Sequence, residues 1–231
     1  VVDTNLCEPT ASGVTLRLLP NEINGVRIIG IDVPGFGVPT HAEAKDILAG
    51  AMLNFARQEV EAGPVQAPTA GKNDRPSVAI LGEMFPADPI GISGILSHLG
   101  LAAGPVVPCR EWRELYGALD CSLVSAIHPF YTASIREFEE AGRPILGSAP
   151  VGSEGTEDWI QSVGEIFNIK KGIISKCKNE ILPKIKESLK LHKIKGTITL
   201  SGYEGSELLV ARLLIESGAK IPYVGTACPK T

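Results

Sequence analysis

Aromatic residues make up only 5% of this 231-residue chain, and it holds just two Met and four His. No stretch approaches the roughly 20 consecutive apolar residues of a bilayer span. Nor does the start of the chain show a basic segment leading into an apolar one. The expectation is a soluble, non-secreted protein with no membrane span. Basic residues are also in deficit, 22 Lys and Arg against 26 Asp and Glu for a net charge of −4. That disfavours a sequence-independent grip on phosphate backbones, so no nucleic-acid partner is expected. The five cysteines, Cys7, Cys109, Cys121, Cys177 and Cys228, are odd in number and form no C-x-x-C pair. Neither a disulfide framework nor a self-contained zinc site is indicated, and a reducing cytoplasm fits best. No G-x-x-x-x-G-K-S/T loop, G-x-S-x-G elbow or H-E-x-x-H helix occurs, which leaves nucleotide binding weakly supported and a hydrolase without an anchor.

What the chain does have is turn chemistry and apolar residues: 25 Gly, 17 Pro and 44% apolar content, the profile of a turn-rich α/β protein. Residues 1–63 read as strand (GVRIIGIDVPGFG), glycine-rich loop and amphipathic helix (HAEAKDILAGAMLNFARQEV). On that helix Ala44, Ile47, Leu48, Ala51, Met52 and Phe55 recur at helical spacing. The aperiodic PVQAPTAGKNDRP is a linker, which puts a domain boundary near residue 70. A second α/β domain over 71–168 begins with the strand SVAILGEM and continues through a helix in ISGILSHLGLAAG. Leu115 to Leu119 and Leu123 to Ile127 flank Asp120, and the helix TASIREFEEAG, the short strand RPILGSAP and the helix EGTEDWIQSVGEIF follow. Strands alternating with helices imply doubly wound parallel sheets with right-handed crossovers.

Residues 169–195 carry nine Lys and two Glu, a local balance of +7. A basic patch competes with a plainer reading. Ile173, Cys177, Ile181, Ile185 and Leu189 lie four apart, giving a connecting amphipathic helix, kinked or restarted near Pro183, with its lysines in water. Residues 196–231 are a strand, loop, helix and strand that open a third α/β domain. Val1 and Thr231 both read as cut ends, so an internal fragment of a longer subunit is expected, with part of any active site outside it.

The chemistry-bearing residues are few. Glycine-rich loops at GFGVPT, LGEMFPADPIG and SGYEGSE could offer backbone amides to an anion, but tight turns are the favoured explanation of these glycines. His128 ends a predicted strand, where ligands sit in open α/β sheets. His98 and His192 fall on helical stretches, and a structural role suits all three. His41 opens the helix after GFGVPT, where it either faces a ligand or merely caps the helix. Glu139 with Glu140, and Glu157 with Asp158, point apart on helices and read as solvated charges. Cys7 lies in the irregular NLCEPTASG after a β-like start. It is either a thiolate held at a strand end or a buried free thiol. The other four cysteines read as small core residues.

Three segments carry a resemblance: NLCEPTASG, NEINGVRIIGIDVPGFGVPTHAEAKDILAGAMLNFARQEV and TITLSGYEGSELLVARLLIESGAKIPYVGTACPKT. They are similar to the Y-subunit family of chlorophyllide a reductases, in the nitrogenase-like component 1 superfamily. That resemblance implies repeated doubly wound, Rossmann-like α/β domains and a heterotetramer of two Y and two homologous Z subunits. It further implies a 4Fe-4S cluster shared between Y and Z, and a separate iron–sulfur X subunit that binds ATP and Mg and delivers electrons. The implied reaction is ATP-dependent reduction of the C7=C8 double bond in ring B of chlorophyllide a. Cys7 matches the last of the subunit's cluster-ligating cysteines. Thr40 and His41 match the loop facing the cofactor in nitrogenase catalytic subunits, and so would line the substrate cavity. The runner-up is the N subunit of dark-operative protochlorophyllide reductase. A nitrogenase α-subunit fits less well, and a non-enzymatic α/β ligand-binding module of the periplasmic-binding type is the alternative from another class.

Overall fold

A computed structural model describes residues 1–5, 7–33, 36–38, 40–63 and 75–226. At its centre is a four-stranded, all-parallel sheet built from β5 (Ser77–Leu81), β6 (Ala102–Val107), β7 (Leu123–Ala126) and β8 (Ile145–Leu146), in the spatial order β6-β5-β7-β8. The strands are short and apolar, and both faces are covered, as a parallel sheet requires. Val78, Ile80 and Leu123 face one side, where α3 (Pro89–His98), α6 (Gly152–Ile166) and α7 (Lys171–Leu191) pack. Ala79, Leu81 and Val124 face the other, against α2 (His41–Ala62), α4 (Trp112–Leu119) and α5 (Thr132–Glu140). The result is three layers, helix on sheet on helix. Trp159 of α6 is fully buried and donates its indole N–H to Ser125 Oγ of β7 at 3.0 Å, so its polar atom is paired inside the core.

Two smaller parallel pairs flank this sheet. In the first, β1 (Val2–Asn5) runs beside β4 (Ile29–Asp32). Between them lie the short α1 (Cys7–Ala11), a 3-10 turn and a hairpin of β2 (Glu22–Ile23) and β3 (Val26–Arg27) closed by Asn24–Gly25. In the second, β9 (Thr197–Ser201) pairs with β10 (Lys220–Gly225) around α8 (Glu207–Glu216), and α8 packs on α6.

Three expectations about elements need correction. The stretch ISGILSHLGLAAG does not continue as helix: α3 stops at His98, Gly100 takes a positive φ, and Ala102 begins β6. The buried stripe of α2 is Ala42, Asp46, Ala49, Gly50, Leu53 and Ala56, whereas Ala44, Ile47, Leu48, Ala51 and Met52 are half-buried and Phe55 is exposed. Small residues win that face because α2 sits close on both α5 and α4. Pro183 neither ends nor restarts α7, which is one helix from Lys171 to Leu191. The plainer reading of its lysines holds, since Ile174, Cys177 and Leu182 are buried and Lys171, Lys176, Lys184, Lys186 and Lys190 are exposed.

Candidate functional site

In a sheet ordered β6-β5-β7-β8, the chain leaves β5 to one side for β6 and then returns to the other for β7. Ligands of open α/β sheets settle at the carboxyl ends of the strands at such a switch point. Four loops meet here, those after β4, β5, β7 and β9. Lys45 Nζ of α2 donates to Glu83 Oε2 after β5 at 2.5 Å, tying the first two. Gly82, at φ +103°, lies so near the β7 loop that a Cβ on it would stand 2.5 Å from His128 Cβ, so only glycine fits. The loop after β9 reaches the same segment, since a Cβ on Gly205 would stand 2.9 Å from Pro129 Cγ. Among the described residues these loops present three rings to solvent: Phe36, Phe85 and Tyr203, which are 62%, 77% and 72% exposed. Beneath the Lys45–Glu83 pair lies a cavity of about 220 Å³ walled mainly by Leu48, Ala49, Met52, Val107 and Leu115.

The glycine-rich loops are spoken for by the chain itself. Thr40 Oγ1 accepts from Glu43 N–H at 3.1 Å and donates to Glu43 Oε2 at 3.2 Å, a reciprocal cap on α2. Asp88 accepts from Ile90 and Gly91 N–H at the start of α3. Glu207, although buried, accepts from Glu204 N–H at 2.9 Å and Thr226 Oγ1 at 2.8 Å. Burial alone would raise this carboxyl. The hydrogen bonds from Thr226 and from the backbone of Glu207, Glu204 and Gly205 together outweigh it and hold the group below its ordinary range. The amides at these three helix starts therefore serve internal caps, which favours the tight-turn reading over anion binding.

Each residue singled out in the sequence now has a place. Thr40 is buried and caps α2, and His41 is the first helical residue with its side chain exposed. Cys7 is an exposed free thiol at the start of α1, two residues beyond the end of β1. Cys121 and Cys177 are buried, Cys109 is half-buried beside the cavity, and Cys228 lies outside the described residues. Burial, with a smaller push from Glu114, drives the Cys109 thiol up to about 12. Burial and Glu180 drive Cys177 up to about 11, so both stay protonated. His98 bridges α3 to Glu180 of α7 at 3.2 Å. The acidic pairs lie on helix surfaces, where Glu157 meets Lys178 at 3.5 Å and Asp158 meets Arg212 at 3.7 Å. Among the described residues no three His, Cys, Asp or Glu are grouped to hold a metal ion. One exposed thiol fits a single donor to a cluster completed by other residues, and does not fit a site made by these residues alone.

Sequence reasoning missed Asp46. It is buried mid-helix in α2, and its carboxylate accepts from Ala133 N–H at 2.7 Å and Ser134 N–H at 2.8 Å at the start of α5. An acid on the packed face of an amphipathic helix was the available signal, masked by the apolar stripe on the other side.

Comparison with known proteins fits this geometry. Over 231 residues the chain is 68% identical to a "Chlorophyllide reductase 52.5 kDa chain" of Cereibacter sphaeroides and 64% identical to one of Rhodobacter capsulatus, covering all of this chain and 46% of each relative. A "Light-independent protochlorophyllide reductase subunit N" of Prochlorococcus marinus is 26% identical over 183 residues, 77% of this chain and 44% of that one. The chain thus spans about half the length of these relatives. Among solved structures, "Nitrogenase Cp1 at pH 6.5" superposes with a TM-score of 0.69 at 15% identity, covering 100% of this chain and 54% of that one, which speaks to fold alone. No described helix is long and apolar enough to cross a membrane. The model of the nitrogenase component 1 type oxidoreductase family matches residues 4–231, and the chain belongs to that family.

Proposed function

We propose that this chain is part of the Y subunit of a chlorophyllide a reductase, whose reaction is ATP-dependent reduction of the C7=C8 bond in ring B. The observation that carries this reading is the 64–68% identity, along the whole chain, to two chlorophyllide reductase chains. The subunit would act with a homologous Z subunit, two of each, in the cytoplasm. ATP and Mg would be handled by a separate iron–sulfur X subunit, consistent with the lack of a phosphate-binding loop here. A 4Fe-4S cluster at the Y/Z interface would relay single electrons, and Cys7 would supply one thiolate to it. Residues 1–70, 71–168 and 196–231 would belong to three successive α/β domains, joined through the helix in 169–195.

For substrate, the rim at the switch point is the candidate. A flat, apolar macrocycle needs rings to stack on and a cavity shielded from water. The exposed Phe36, Phe85 and Tyr203 suit the first need. Thr40 has its hydroxyl committed to Glu43, so it would line the cavity without donating to a ligand. His41 has its ring in solvent and could hold or give a proton at the edge of the tetrapyrrole.

The test uses the full-length subunit, co-expressed anaerobically with Z and mixed with X, ATP, dithionite and chlorophyllide a. An ATP-dependent red shift of the long-wavelength band to a bacteriochlorin spectrum, lost when the subunit is omitted, supports the reading. Conversion of protochlorophyllide instead, with the corresponding partners, overturns it in favour of the N-subunit reading. Cys7→Ala should abolish both the cluster spectrum and turnover. Retention of both would remove Cys7 from the site.

A further inference from the structure

We propose that Lys45 is the carboxylate-binding residue of the substrate site: its ammonium exchanges Glu83 for the free acid arm of the tetrapyrrole, so that this rim distinguishes a chlorophyllide from its ester. The inference rests on the reductase reading, because the acid arm belongs to that substrate class. Lys45 Nζ and Glu83 Oε2 meet at 2.5 Å, and the two side chains are 37% and 56% exposed, so the pair marks where the cavity beneath it meets solvent. Of the nine described residues that line the cavity these two alone carry charge. The other seven are six apolar residues and the protonated thiol Cys109. A ligand entering here meets one cation, and only Glu83 competes for it.

The pair is suited to changing partners. An ion pair this exposed is weak, because water and salt screen both charges. Glu83, already more than half in water, is therefore a replaceable partner. The acids beside Lys45 on α2 do not take its place. Glu43 is held in the reciprocal cap with Thr40, and Asp46 by the amides of Ala133 and Ser134. A flat ring lying on the rim excludes water from the ammonium, and a charge-assisted hydrogen bond to an incoming carboxylate strengthens in the lower dielectric that results. Phe85 sets the distance. It follows Glu83 by two residues, which puts their Cα atoms within about 7 Å of each other, and its ring is 77% exposed. A macrocycle stacked on Phe85 thus brings a side arm at its edge to Lys45, with the methylenes of the arm against the apolar wall of Leu48 and Met52.

Equilibrium binding of chlorophyllide a, and of the same pigment with its acid arm methyl-esterified, to the full-length subunit in its complex tests this by fluorescence titration. The wild-type complex should bind the acid about 10–100-fold more tightly than the ester. Lys45→Met should weaken the acid to the level of the ester and leave the ester little changed, whereas Lys45→Arg, which keeps the charge, should retain most of the preference. Glu83→Gln removes the competing carboxylate and should tighten the acid by up to about fivefold, again with little change for the ester. These opposite signs separate ligand binding from a purely structural tie between α2 and the loop after β5, which predicts that both variants weaken acid and ester alike. That result, or equal wild-type affinity for the two pigments, overturns the proposal, and binding of neither overturns it together with the reductase reading. Turnover tells the two apart. Preference for the acid without ATP-dependent reduction would sink the reductase reading and leave the subsite standing, while reduction of acid and ester with equal kcat/KM would sink the subsite and leave the reductase.

Discussion

Side-chain oxygens placed on backbone amides, most of them carboxylate oxygens, are the recurring device at the scale of single residues. Thr40 and Asp88 cap their own helices, but Asp46 caps α5 from α2, and Glu216 of α8 accepts from Ser153 N–H at the start of α6 at 2.6 Å. An anionic group there completes orphan donors and complements the helix dipole. Replacing Asp46 with Ala strands one buried and one half-buried amide beside the rim and should cost roughly 1–3 kcal/mol. Asp46→Asn keeps one acceptor oxygen and should cost less. Denaturant unfolding of the full-length subunit checks the order, and equal losses in the two variants would show that packing rather than the amides is at stake. Self-caps such as Thr40 with Glu43 are legible in sequence because their parts lie three residues apart. Asp46 and its partners are 87 and 88 residues apart, so no local pattern announces them.

Elements are legible in the sequence where apolar periodicity is long and obscure where it is short. The α2 and α7 helices emerged from their apolar spacing, while β6 was absorbed into the preceding helix because LGLAAG continues an apolar run without breaking its rhythm. The glycine at 100, in the turn just beyond α3, marks the stop. The face of α2 was misjudged for a different reason. Close helix packing selects Ala and Gly over larger side chains, so the more apolar stripe is left half-buried beside the cavity. Arg57 then locks α2 to α5 through Glu137, with its Nη2 3.0 Å from Glu137 Oε2. In α7, Pro183 is exposed within a continuous helix, where it removes a backbone donor. Pro183→Ala should raise stability by up to about 3 kcal/mol, read as a higher Tm of the full-length subunit. A lower Tm would mean that the proline relieves strain on the packed face.

Across the whole molecule, the switch-point rim is assembled from segments that the sequence holds far apart. Lys45 with Glu83 links segments 38 positions apart, and Gly205 backs onto Pro129 and Phe130 from still farther along the chain. The exposed rings on those loops are the feature that bears on function. If Phe85 stacks on a macrocycle, Phe85→Ala removes a contact of about 0.5–1.5 kcal/mol and should raise KM for chlorophyllide by roughly 2–10-fold. Its burial elsewhere cannot suffer, because the ring is 77% exposed. Steady-state kinetics of the assembled complex checks this, and an unchanged KM would take Phe85 out of the substrate's path.

The sequence by itself determined the alternation of strand and helix, the parallel α/β class, the self-capped helix starts and the solvated lysines of α7, because each depends on residues within a turn or two of one another. The tertiary structure alone decided the strand order, the face that α2 buries, the use of Asp46 and Glu216 as caps for other helices, and the close approach of Gly82 to His128 and of Gly205 to Pro129. Those outcomes depend on which surfaces exclude water from one another and which buried polar groups find partners there. Both are set by contacts between residues far apart in the chain, and local spacing does not encode them.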